Sequence, residues 1–498
     1  MFRKSLRPET IKHRECCGAA TGPGYSSPKD AMILGPKEKL LYIPCIRNGT
    51  SNKHLPDYLC TVDVDPASPT YCQVISRVDM PYVGDEIHHS GWNACSSCFD
   101  NSSKCRSKLI LPSLISDRIY IFDTRTDEKN PKLFHIVEPE EIHAKCDLGT
   151  PHTVHCLGNG EVMISAMGDA EGNAKGGFII LDGEDFSVKG NWEAPGHNAK
   201  FGYDFWYQPY FNTMISTAWG EPKALKRGFD LKDVEAGKYG SELFVWDWEK
   251  HTIKQTINLG PDGLIPLEIR FMHDPLRSEG FVGCALSSTV FRFHQLANGE
   301  WAADKVIEVP GKKVEGWALP GMPGLITDIL LSLDDKYLYF SNWLHGDIRQ
   351  YDVTDPAHPK LAGQIFLGGS ICKGDGVTVV EDKELTEQPD PFFMNGKRFY
   401  GAPQMLQLSL DGKRLFVTTS LFSPWDQQFY PQMIDHGSIM LQIDCDTKNG
   451  GLSLNKNFLV DFGLEPDGPV LAHEMRYPGG DCTSDIWLKE VIDKTSKL

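Results

Sequence analysis

The chain runs to 498 residues, and its 50 Lys plus Arg stand against 67 Asp plus Glu, for a formal charge of −17. That sign opposes a nucleic-acid partner, and no basic stripe along the chain offsets it. No apolar run reaches the roughly eighteen residues of a membrane span, and residues 1–17 hold no apolar signal core. Neither a span nor secretion is expected, peripheral membrane association stays open, and the expected location is the cytoplasm, with nuclear entry an open alternative. The 14 cysteines are scattered rather than set at disulfide spacings, as expected of free thiols in a reducing compartment. Several, such as Cys156 and Cys284, sit in apolar runs where a thiol packs as a small hydrophobe.

Residues 1–30 read as a flexible leader, rich in turn formers around Gly18, Gly22, Pro23 and Gly24 and without periodicity. Strand patterns begin at Leu40–Cys45 and Tyr58–Val64. Seven later segments then share one phrase, a short run entering a tight turn and a second β-rich run. They start at His89, His152, Asp204, Glu268, Asp328, Met405 and His473. Their spacing of about fifty to eighty residues suits a four-stranded propeller blade with its loops. The sharpest internal match aligns Ile329–Trp343 with Leu406–Ser420, each a strand, an Asp-Asp or Asp-Gly turn and a returning strand. Helix signals are confined to 230–236, 382–387 and 485–493. The expected fold is all-β: a seven-bladed β-propeller forming one closed domain over 31–498, with a short N-terminal extension and few short helices.

A ring of this kind would gather side chains that are far apart in sequence, so a metal site needs no local motif. Three segments carry histidine: His88 and His89, His152 and His155, and His473. Adjacent residues of a regular strand point to opposite faces, so His88 and His89 reach one ion only where the backbone bends. An all-nitrogen set without a nearby thiolate leans towards copper over structural zinc. Against this stands the ordinary role of a buried histidine as a hydrogen-bonded core side chain. Asp204, Glu268 and Asp328 share the register of His152 and His473. They are candidates to orient imidazoles or to take a substrate proton, or else they bind turns of neighbouring blades. Trp92, Phe205 and Trp206 could line a small apolar pocket. Cys95-Ser96-Ser97-Cys98 is the single CxxC, in a β-rich context unlike the helix start of a thioredoxin site.

Long phrases of the chain resemble the selenium-binding protein family, whose members include methanethiol oxidases. They run from Gly22 to Pro28, Asp85 to Cys98, Lys108 to Ser116, Gly202 to Pro209, Gly324 to Ser332 and Leu471 to Asp481. The resemblance covers nearly the whole chain apart from the leader and the last ten or so residues. It implies a seven-bladed propeller and an oxidase converting methanethiol, O2 and water to formaldehyde, hydrogen sulfide and hydrogen peroxide, with copper as cofactor. It places metal ligands at His88, His89, His152 and His473, with His155 in reserve, selenium at Cys72, and redox thiols at Cys95 and Cys98. The alternative class is a non-catalytic carrier of selenium or reactive sulfur on Cys72, acting as an interaction scaffold for partners the sequence does not name. A third is a lactonase-like hydrolase using Asp204, Glu268 and Asp328 with calcium.

Overall fold

The structure is a computed structural model that describes residues 22–489. It is an all-β protein with few, short helices: seven four-stranded antiparallel sheets, one three-stranded sheet and one small hairpin among the described residues. In six of the four-stranded sheets the strands follow chain order. In the seventh, Leu471–Ala472 near the end of the chain joins Leu40–Ile46 near its beginning, with Cys45 opposite Ala472 and Ile46 opposite Leu471. The first sheet is thereby completed by the last strand.

One edge of each sheet lies inside and the other faces solvent. Gly149–Cys156, Pro266–Phe271 and Ile326–Leu331 are buried at every position. The opposite edge strands, such as Gln73–Asp79 and Thr252–Asn258, alternate between half-buried and exposed. The seven buried edge strands are those that begin at or beside the repeated phrase. Successive ones touch, as where the Asp328 carboxylate accepts the Leu406 amide at 2.7 Å and the Asp204 carboxylate accepts the Ile269 amide at 2.8 Å. The matched hairpins fold as their turns dictate. Gly412 takes φ +73° in the Asp-Gly turn between Leu406–Leu408 and Arg414–Thr418, and Asp335 takes φ +56° at the corresponding turn of its sheet.

Two expectations are corrected. Helix is absent at 382–387, where the Asp382 carboxylate instead accepts the Glu384 and Leu385 amides at 2.8 and 3.1 Å as an isolated turn. Of the expected helix at 485–493, residues 485–488 are non-helical, residue 489 is helical, and 490–493 lie outside the described residues. Leu231–Glu235, capped by Asp230, forms near its expected place. Helices occur instead at Pro28–Leu34, Pro139–Cys146, Pro222–Leu225, Ser423–Phe429 and Pro431–His436, each with proline in its first turn. Of the expected leader over 1–30, residues 22–30 are described and they are not loose. Tyr25 donates its hydroxyl to the Gly479 carbonyl at 2.9 Å, and its own carbonyl accepts the Trp487 indole N–H at 3.0 Å, so this stretch is packed. Residues 1–21 lie outside the described residues. None of the described helices is long and apolar enough to cross a membrane.

Candidate metal centre

His88 and His89 precede the two-residue strand Gly91–Trp92, and Glu86, at φ +56°, bends the chain into them. The pair is therefore free of strand alternation, and its ring centroids lie 4.9 Å apart. His152 sits within Gly149–Cys156 where pairing slips between Pro151 and Val154, beside Thr150 at φ +52°. His473 directly follows Leu471–Ala472. The four rings interlock: His88 stacks on His473 at 3.7 Å, and His89 meets His152 at 3.9 Å. One nitrogen from each of His88, His89 and His152 lies within 4.8 Å of the others, the arrangement of a group that could hold a metal ion. His473 stands beside this trio as a stacked fourth ring.

All four histidines are buried. Burial, followed by repulsion from His473, His89 and His152, holds His88 well below the ordinary histidine range. Burial and the Arg476 charge push His89 down to about 3. Burial, with His89 adding to it, holds His152 well below the ordinary histidine range, and burial and His89 bring His473 to about 3. The rings are thus neutral, each with a lone pair on one nitrogen. His473 Nδ1 lies 2.8 Å from the Ser420 carbonyl, which can only accept, so Nδ1 carries the proton and Nε2 the lone pair. The Nε2 atoms of His152 and His473 have no hydrogen-bond partner. Buried imidazole nitrogens without partners are costly unless something binds them, and a nitrogen-seeking cation fits this set.

A layer of charge adjoins the imidazoles. His89 Nδ1 is 3.3 Å from Glu474 and its Nε2 is 3.8 Å from Glu268 Oε1. Arg270 binds Asp204 at 2.6 Å and Glu268 at 2.7 Å, while Arg476 binds Glu474 at 2.6 Å and the Ser90 carbonyl at 2.9 Å. Asp204, Glu268 and Asp328 are all interior. Burial raises Asp204, but Arg270, the Glu268 and Ile269 hydrogen bonds and His155 together outweigh it and hold the carboxyl below its ordinary value. Burial and the neighbouring Asp204 charge push Glu268 well up, and burial lifts Asp328 to about 7. Glu268 Oε1 and Asp328 Oδ1 accept no hydrogen bond.

The arginines were not among the candidates read from sequence, yet a signal existed. Glu268-Ile269-Arg270, within the buried strand Pro266–Phe271, and Glu474-Met475-Arg476, just after Leu471–Ala472, repeat one acid-x-arginine phrase, and in the first a period of two puts both side chains on one face. His155, the reserve ligand, lies apart from the four rings. It packs 5.1 Å from both Phe205 and Trp206, with neither ring nitrogen partnered. The expected apolar pocket is corrected too. Trp92 packs on Tyr42 at 6.1 Å, and Phe205 and Trp206 surround His155. The aromatic neighbours of the four histidines are Tyr203, 3.9 Å from His152, and Phe422, 6.3 Å from His88.

The thiols lie elsewhere. Cys72, at φ +64°, leads into the exposed edge strand Gln73–Asp79 and sits half-buried in a groove of about 500 Å³ with Arg77, Lys397 and Glu465. Its thiol donates to the Asn457 carbonyl at 3.7 Å, and burial raises its pKa. Cys95 and Cys98 are buried free thiols around the short turn Ser96–Cys98. Cys98 donates to the Leu157 carbonyl at 3.3 Å. Cys95 lies 3.2 Å from the Ser97 hydroxyl, and burial, which would raise it, is outweighed by hydrogen bonds led by that from Cys156.

Together these features define an all-β protein whose buried sheet edges assemble an all-nitrogen, metal-competent centre. A family model described as the 56 kDa selenium binding protein (SBP56) matches residues 19–488, and the chain belongs to that family. It is 66% identical to a methanethiol oxidase of Xenopus laevis and 64% identical to one of Homo sapiens, in both cases over 95% of this chain and 99% of the relative. A hypothetical selenium-binding protein of Sulfolobus tokodaii superposes with a TM-score of 0.83 at 36% identity, covering 93% of this chain and 98% of that one. A periplasmic gluconolactonase of Pseudomonas aeruginosa, at 11% identity and a TM-score of 0.52 over 88% and 99% of the two chains, shares the fold alone.

Proposed function

We propose that this chain is a copper-dependent methanethiol oxidase, converting methanethiol, O2 and water to formaldehyde, hydrogen sulfide and hydrogen peroxide. The observation that carries the metal assignment is the buried group of neutral imidazoles with unpartnered Nε2 atoms on His152 and His473. The printed name of the 64–67% identical relatives supports the reaction. The same reading closes the seven four-stranded sheets into a seven-bladed propeller. The pairing of Leu471–Ala472 with Leu40–Ile46 supports that closure. Free thiols at all twelve cysteines among the described residues suit a reducing compartment, the cytoplasm in this reading.

His88, His89, His152 and His473 would hold copper, which supplies a soft site for sulfur and a redox couple open to oxygen. The protein's own part is to keep the imidazoles neutral by burial, to fix the His473 tautomer through Ser420, and to hold His89 between Glu268 and Glu474. Asp204, bound by Arg270, stays ionised and orients its neighbours. Glu268 Oε1 beside His89 and Asp328 Oδ1 are the unpartnered carboxyl oxygens of this layer. Of the two, Asp328, lifted to about 7, is the one ionised over more of the neutral range and so able to take the thiol proton, whereas burial and Asp204 push Glu268 well up. The Arg270 clamp leaves Asp204 and Glu268, two of the three carboxylates of the lactonase-like reading, poorly placed for calcium, and only Asp328 lacks an arginine partner among the described residues.

Metal content measured together with oxygen uptake on methanethiol tests the proposal: close to one copper per chain and thiol-dependent peroxide are expected. A metal-free, inactive protein that retains selenium would favour the carrier reading, which the half-exposed Cys72 keeps in contention.

A further inference from the structure

Around His89 the imidazole group meets a polar layer of paired arginines and carboxylates with two unpartnered carboxyl oxygens, so its sides differ in what they can offer an alkyl chain. The apolar surfaces next to the rings are Tyr203 against His152 and the edge of Phe422 towards His88. Trp219 backs Tyr203 at 4.6 Å. All three are buried.

These rings are tied to the histidines rather than merely near them. The short loop Ser420–Phe422 that leads into the helix Ser423–Phe429 also supplies the carbonyl that fixes His473. Asp426 closes that loop by accepting the Ser420 hydroxyl at 2.6 Å and the Leu421 amide at 2.9 Å. Glu86, two residues before His88, accepts the Ser423 amide at 2.9 Å and its hydroxyl at 2.6 Å. On the other side, the Tyr203 carbonyl accepts the Ser165 hydroxyl at 2.5 Å and lies 3.5 Å from the hydroxyl of Thr153, the neighbour of His152. The backbone that carries each aromatic ring is therefore tied to the neighbourhood of its histidine by a short hydrogen-bonded path, and both rings are packed in the interior.

We infer that Phe422 and Tyr203 form the wall that receives the carbon of the thiol and sets the upper length of its alkyl chain, so that one-carbon thiols are favoured over longer ones. The inference rests on the oxidase reading above and deepens it. One extra methylene in an apolar pocket is worth about 10–200-fold, so the discrimination per carbon is expected to be at least the lower end of that range.

The test uses the copper-reconstituted full chain and the series methanethiol, ethanethiol and 1-propanethiol, read both as kcat/KM ratios and as thiol-dependent thermal stabilisation. Wild type is expected to lose at least tenfold in kcat/KM per added carbon. Phe422→Ala, and more mildly Phe422→Leu, should raise the propanethiol to methanethiol ratio at least tenfold and shift the stabilisation order the same way. Trp92→Phe, on the ring packed against Tyr42, should keep the wild-type order. An unchanged order in both Phe422 variants with copper bound, or an equal change in the Trp92 variant, overturns the inference. If no thiol is turned over by copper-loaded wild type, the oxidase reading fails, and the stabilisation series still decides the wall by itself.

Discussion

The imidazole group and Cys72 are two places where this protein could meet sulfur or selenium, and they are built on opposite terms. The histidines lie on the buried edges of the sheets, neutral, with lone pairs left unpartnered. Cys72 lies at an exposed edge strand, its thiol raised by burial and resting on the Asn457 carbonyl in a groove open to solvent. Strands that converge can combine donors from residues hundreds of positions apart, whereas an outer edge offers a single side chain and its immediate loop. Multi-ligand chemistry belongs to the first place and capture by one atom to the second.

The largest effect that separates them should come from the ligands. His152→Ala and His473→Ala are expected to abolish copper binding, measured by elemental analysis, and turnover with it, while the distributed sheet core keeps the fold. Full copper occupancy in the His473 variant would remove that stacked ring from the site and leave the trio of His88, His89 and His152 as the whole of it.

The charge layer should respond through stability. Arg270→Met removes the partner of Asp204 and Glu268 together, both buried. Breaking a buried pair in this way costs about 3–5 kcal/mol because the remaining charge is uncompensated. Denaturant unfolding should show a loss of that order. A change below about 1 kcal/mol, the scale of an exposed pair, would mean that the carboxylates reach water or take up protons at little cost.

What could be read from the sequence follows what is local. Strand alternation and the Asp-Asp and Asp-Gly turns made the edge strands legible, and with them the position of His152 within one buried edge strand and of His473 directly after another. The short helices were missed because proline reads as a breaker, whereas in the first turn it is a start signal, as at Pro28, Pro139 and Pro431. Arg270 and Arg476 were passed over because a lone charge usually marks a solvated face, although the repeated acid-x-arginine phrase pointed inward. Phe422 could not be read at all, since a loop after one hairpin meets His88 across more than three hundred residues of chain, and no periodicity encodes that contact.

Asp328 probes the middle of the range. Its Oδ2 holds the Leu406 amide of the next buried edge strand while Oδ1 is free, and burial lifts it to about 7. Asp328→Asn keeps the shape and one acceptor, so thermal stability should change little. Loss of a group that orients metal ligands typically costs 10–100-fold, and activity should fall by about that factor. Activity equal to wild type would restrict Asp328 to joining two sheets.

The smallest effect is expected at Cys72, and it bears most directly on the contrast. No hydrogen bond or ring contact links Cys72 to the histidines among the described residues. Its neighbours are Asn457, Arg77 and Glu465 at the outer edges of two sheets. Cys72→Ser preserves size and a donor to the Asn457 carbonyl, so methanethiol-dependent peroxide production should stay within a few-fold of wild type, while selenium retained after incubation with selenite and thiol should drop sharply. Complete loss of turnover with copper still bound would place this thiol in the reaction, and would mean that the outer edge and the buried centre act as one site rather than two.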